Sequence, residues 1–72
     1  MTVQEVTDSQ ILSMLPNTCP AITIKISGTT DKKSLEYRTT FSRINRHLKS
    51  MHRCGMIRWD RVVDDAKLWE VC

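Results

Sequence analysis

Between Ser42 and Cys54, apolar and basic side chains segregate onto opposite sides of a helix, and Gly55 stands where that helix would stop. At ~100° per residue, Ile44, Leu48 and Met51 fall within about 60° of one another, and Phe41 extends the same stripe. Ser42, Arg46, Lys49 and Arg53 occupy the other side, flanked by Asn45 and Arg43. Gly55 tolerates the left-handed conformation that ends many helices. An apolar stripe this narrow has to be covered by other elements of the chain. The rest of the sequence is therefore read for what can cover it.

Seventy-two residues with 40% apolar side chains suffice for one small domain but not for a wide, water-excluding cavity. The expected division is a flexible start at residues 1–6 and one folded domain at 7–72. Thr7 followed by Gln10 matches a capping box, with Val6 and Ile11 as its hydrophobic staple. Ile11, Leu12 and Leu15 continue that helix until Pro16. Ala21–Ser27 alternates isoleucines with Thr23 and Lys25, which predicts a half-buried strand closed by Gly28.

Asp31–Arg38 reads as a short helix capped by Thr30 or Asp31. The 4-3-4-3 spacing of Tyr37, Phe41, Ile44, Leu48 and Met51 leaves open a single helix from about residue 33 to 54. Met56–Val62 and Lys67–Val71 form a hairpin, with Ile57, Trp59, Trp69 and Val71 available for its inner face. Trp69 is expected in the core, anchoring the last strand. The fold class is a small α+β domain, ordered helix, strand, helix, helix and two-stranded hairpin.

The net charge of +3 is unevenly spread. Residues 38–61 hold Arg38, Arg43, Arg46, Lys49, Arg53, Arg58 and Arg61 against Asp60 alone, while both flanks are slightly acidic. Such a block points to a polyanionic partner, nucleic acid first. No uninterrupted apolar run exceeds two residues, so neither a membrane span nor a signal peptide is expected. Cys19, Cys54 and Cys72 make no even-numbered framework and no CxxC, which reads as three reduced thiols in an intracellular protein. Cys54 is expected to pack as a small hydrophobe.

The run Ser42-Arg43-Ile44-Asn45-Arg46-His47-Leu48-Lys49-Ser50-Met51, followed by Gly55-Met56-Ile57, resembles the winged helix-turn-helix DNA-binding family. Ile44, Leu48, Met51, Gly55, Met56 and Ile57 match that family's apolar-and-glycine spacing, and the likeness covers residues 40–71. It implies a winged helix that binds double-stranded DNA as a small transcriptional regulator, with helix 42–54 in the major groove. Arg43, Asn45 and Arg46 would meet base edges, with Ser42 beside them at the helix start. Lys49 and Arg53 would hold phosphates, and Arg58, Arg61 or Lys67 would be the wing's contacts. The tip residues Asp64-Asp65 depart from this pattern, since they repel phosphate. A homodimer on a two-fold site is the expected assembly. No cofactor, metal or small-molecule substrate is implied. The expected location is the cytoplasm, with the nucleoid, or the nucleus of a eukaryotic host.

Four other readings bear comparison. Asn45, Leu48, the Gly55 turn and Leu68-Trp69 are similar to winged helices that bind Z-form nucleic acid. Lys49 stands where those carry tyrosine, and Ala66-Lys67 where they carry prolines, so the stacking platform is missing. A zinc site would need His47, His52, Cys54 or Cys72 to converge. On a helix His47 and His52 point ~140° apart, and His47 and Cys54 sit ~10 Å apart along the axis. Catalysis lacks a nucleophile with a base in reach, so no enzyme is expected. The rival is a protein-interaction module that uses the Tyr37–Met51 seam to pair helices. Bases without acids beside that seam favour DNA.

Overall fold

Thr7 opens the first element of the computed structural model, which describes residues 6–72. Its hydroxyl accepts from the Gln10 backbone N–H at 3.2 Å, and the Gln10 side chain accepts from the Thr7 N–H at 2.9 Å. This reciprocal capping box starts α1, Asp8–Met14. Val6 and Ile11, the expected staple, are both buried in the core. The remainder of the expected flexible start, residues 1–5, lies outside the described residues.

A two-residue strand, β1 (Asn17–Thr18), follows and leads directly into helix α2, Cys19–Ser27. This corrects the expected strand at Ala21–Ser27. Thr18 caps α2 by accepting from the Ala21 N–H at 3.4 Å, and Pro20 sits in the first turn, where its missing N–H costs nothing. Gly28 ends α2 in the left-handed region at φ 76°. Cys19, Ile22, Thr23 and Ile26 form its buried face. Their 3-1-3 spacing is helical, and the apparent alternation of Ile22, Ile24 and Ile26 is a by-product of it. Burial of that face outweighs the low helix propensity of the branched side chains.

The second correction concerns residues 31–54. The short helix Asp31–Arg38 does not form; the single helix that the 4-3-4-3 spacing left open does, as α3 (Leu35–Arg53), starting seven residues before Ser42. Asp31 instead shapes a turn, its carboxylate accepting from the Lys33 N–H at 3.0 Å. Ser34 is the N-cap, accepting from the Tyr37 N–H at 3.1 Å. The buried residues of α3 are Tyr37, Thr40, Ile44, Leu48 and Met51, so Thr40 takes the place expected of Phe41, which is half-buried at the margin.

The end of α3 behaves as Gly55 predicts. Gly55 N–H donates to His52 C=O at 3.0 Å and Met56 N–H to Met51 C=O at 2.9 Å, with Gly55 at φ 77°. These two bonds form a Schellman cap. Cys54, within this turn, is exposed and does not pack as expected.

Strands β2 (Ile57–Val63) and β3 (Ala66–Val71) form the expected hairpin, and β1 adds a third strand. The sheet is antiparallel in the order β1-β3-β2, with Asn17 opposite Trp69 on one side and Trp59 opposite Trp69 on the other. Trp69, on the central strand, is buried as expected, and so is Ile57. Trp59 and Val71, expected on the inner face, are instead 38% and 54% exposed, although their partners Trp69 and Ile57 are buried. A bulge between Trp59 and Val62 places Asp60 and Arg61 against one residue of β3 and bends the edge strand.

Val6, Ile11, Cys19, Ile22, Ile26, Ile44, Leu48, Met51, Ile57 and Trp69 make one core between the three helices and the sheet. The fold is a small α+β domain. Among the described residues no helix is long and apolar enough to cross a membrane.

Candidate nucleic-acid interface

Packing one face of α3 into the core forces the opposite face outward. At ~100° per residue, Arg38, Ser42, Asn45, Arg46, Lys49 and Arg53 fall in a sector of about 100° opposite the buried residues. All are exposed except Asn45, which is half-buried, and Arg43 stands off one edge, also exposed. From Arg38 to Arg53 the row is about 22 Å long. Among the described residues, no carboxylate lies within 4.0 Å of the row's four cations or of Arg43 beside it.

The helix is held firmly from behind. Ile44, Leu48 and Met51 are at most 1% exposed. His47 bridges to α1 through a 2.6 Å contact between Nδ1 and the Asp8 carboxylate. His52 sets its ring edge on Trp69, centroids 5.3 Å apart. The two histidines thus join α3 to its neighbours on either side of the row.

Arg58 and Arg61, the two hairpin candidates, are placed differently from the six on α3. Arg58 is paired across the sheet with Glu70 (Nε to Oε1, 3.1 Å), and Arg61 with Asp60 at 3.5 Å. Lys67 lies over Trp59, 4.7 Å from the ring centroid, and 5.9 Å from that of Trp69. Asp64 and Asp65 form the tip, both at positive φ. Both hairpin arginines therefore have carboxylate partners, and the structure divides the eight sequence candidates into five that share one surface, Arg43 at its edge, and two on the hairpin.

Arg38 was missed as a site residue, although the 4-4-3-4 spacing of Arg38, Ser42, Arg46, Lys49 and Arg53 carried the signal. It becomes part of the row only because α3 is continuous through residues 35–42. The Tyr37–Met51 seam, which the rival reading would pair with a partner helix, is largely covered within the chain, with Tyr37, Ile44, Leu48 and Met51 buried and Phe41 half-buried.

No protein-family model, curated protein or solved structure matches the chain.

Proposed function

We propose that this chain is a winged helix domain that binds double-stranded DNA, with α3 in the major groove, and that it serves as a small transcriptional regulator. The observation that carries the reading is the uncompensated basic row along the exposed side of α3. The order helix, strand, helix, helix, strand, strand, with the first strand beside the last, supports it. A major groove about 12 Å wide admits a helix whose outer face is polar and whose inner face is packed on a domain. Ser42, Asn45 and Arg46 supply hydrogen-bonding groups for base edges, and Arg38, Lys49 and Arg53 supply charge for phosphates.

In this reading the hairpin is a structural wing. Its arginines already hold carboxylates, and its acidic tip disfavours phosphate. A regulator of this kind would work with the nucleoid of a bacterial cell or in a eukaryotic nucleus, as a dimer on a two-fold site.

The test is the affinity of purified protein for a random-sequence duplex across a salt series. Each phosphate neutralised contributes about −0.9 to the log–log slope, so four or five contacts give a slope of roughly −4. The triple variant R38Q/R46Q/R53Q changes only exposed side chains, so it should keep its melting temperature and lose most of that slope. Equal affinity of the triple variant and wild type at every salt concentration overturns the proposal.

A further inference from the structure

A second feature of α3 lies at its first two turns, away from the hairpin. There the N-terminal turn of α2 and the start of α3 enclose an open cleft of about 460 Å³, lined by Pro20, Lys32, Tyr37, Arg38, Phe41 and Ser42. That volume is within the ~300–1,000 Å³ usual for small-molecule sites. Three rings form its apolar part, with Tyr37 and Phe41 stacked at 6.0 Å between centroids and 23° between planes. Two cations stand at its rim and none of its lining residues is acidic. Glu36, next to Tyr37 in sequence, leaves the helix about 160° away from Arg38.

Tyr37 adds a separate observation. It is only 5% exposed, yet its hydroxyl makes no hydrogen bond to the described residues, and no buried side-chain polar atom is left sealed without a partner. The ring that carries it lines the cleft, and Cys19 lies beside the hydroxyl. A ring with an O–H donor, in a cleft lined also by two cations, is suited to an acceptor that is both anionic and attached to a flat apolar body. Burial, with the neighbouring Cys19, holds the Tyr37 hydroxyl above its ordinary pKa, so it remains a donor at neutral pH.

We propose that this cleft binds a small aromatic carboxylate, with its ring on Pro20 and Phe41, its carboxylate between Lys32 and Arg38, and the Tyr37 hydroxyl donating to it. Arg38 and Ser42 belong to the cleft and also to the basic row. If that row holds DNA, as proposed above, ligand and DNA compete for the Arg38 guanidinium, and each weakens the other by the same factor.

The probes are 2-naphthoate and its uncharged analogue 2-naphthamide, titrated into the whole chain by calorimetry and by amide chemical shifts. The acid should bind about tenfold more tightly than the amide, as one charge-assisted contact implies. Shifts should concentrate at residues 18–21 and 32–42. R38Q, which removes a guanidinium but leaves the stacked rings, should weaken the acid several-fold more than the amide, and Y37F, which removes a donor that both carbonyl groups can use, should weaken both. K25Q, on an exposed position of α2 outside the cleft, should change neither. Equal affinities for acid and amide, shifts centred elsewhere, or an R38Q variant that binds the acid like wild type would each overturn the site.

A duplex arm separates the two proposals. Naphthoate binding that is lost in R38Q, in a protein that binds no duplex, keeps the cleft and sinks the DNA reading. Duplex binding without naphthoate binding does the reverse.

Discussion

Leu48 has no exposed surface and lies between Ile44 and Met51 on the face of α3 that meets both other helices and the sheet. Truncation to alanine should cost about 2–5 kcal/mol. At roughly 0.05–0.15 kcal/mol per residue, a chain of 72 residues has only about 4–11 kcal/mol in total. L48A should therefore melt far below wild type or be largely unfolded at 25 °C, measured by circular dichroism. An unchanged melting curve would mean that α3 does not present this face to the core.

Cys19 carries a different residue-scale consequence. Burial pushes its thiol from the ordinary 9.0 to about 11, only partly offset by the hydrogen bond with Thr23. The unfolded thiol ionises first as pH rises, so the unfolded chain binds fewer protons in that window and stability falls. The contribution is intact below about pH 9 and disappears as pH passes about 11. Two pK units correspond to about 2.7 kcal/mol, an upper figure for one thiol. Tyr37, also raised by burial, adds in the same direction. Thermal melts at pH 7, 9 and 10.5 should show the decline, and C19A should flatten it. With a thiol reagent at pH 8, Cys54 and Cys72 should label at once and Cys19 only through opening of the fold, since the first two are exposed and the third buried.

At the scale of elements, what could be read from the sequence was what local chemistry alone decides. The Thr7–Gln10 box and the Gly55 cap involve groups three to five residues apart, and both formed as predicted. The hairpin was legible for the same reason. Residues 19–27 were misread because Ile22, Ile24 and Ile26 satisfy an alternating pattern while Cys19, Ile22, Thr23 and Ile26 satisfy a helical one. The deciding marks were the Thr18 cap, Pro20 and Gly28, which are helix punctuation that a strand does not need. β1 could not be seen, because two residues carry no pattern and their partners on β3 lie about fifty residues away. Of the candidate interface, the six α3 positions were legible and Arg38 was not. Its place in the row depends on α3 running unbroken through residues 38–42.

The hairpin turn offers a test at this scale. Asp64 and Asp65 both occupy the left-handed region, at φ 51° and 63°, which fits the two-residue type I′ turn of β-hairpins. Aspartate tolerates that region, but glycine has no Cβ to strain. D65G should therefore stabilise the fold by about 0.5–1 kcal/mol, visible as a higher urea midpoint at unchanged slope. If the wing is only structural, the same variant should bind duplex DNA like wild type or slightly more tightly, as one acidic group has left the tip. Loss of affinity would assign the tip a role in binding.

The molecule presents two surfaces of different character, a helix face whose cations have no carboxylate partner among the described residues and a hairpin whose two arginines are each paired with a carboxylate. That contrast decides how a DNA complex should respond to single substitutions. Asn45 and Arg46 lie about midway along the row, where base edges are within reach of a helix seated in the groove, and Lys49 and Arg53 lie one and two turns further on. A good bidentate base contact contributes about 1–3 kcal/mol of discrimination, so R46A should flatten the preference for the best selected duplex over a scrambled one. K49A and R53A should instead weaken both duplexes alike and each make the log–log salt slope shallower by about 0.9. R58A, whose side chain is already held by Glu70, should change neither the preference nor the slope. The measurement is affinity for selected and scrambled duplexes across a salt series, one variant at a time. If R58A alters the slope as much as R53A does, the hairpin shares the phosphate contacts and the wing is not merely structural. If R46A reduces both duplexes equally and K49A reduces only the selected one, the helix lies in the groove in the opposite sense to that proposed.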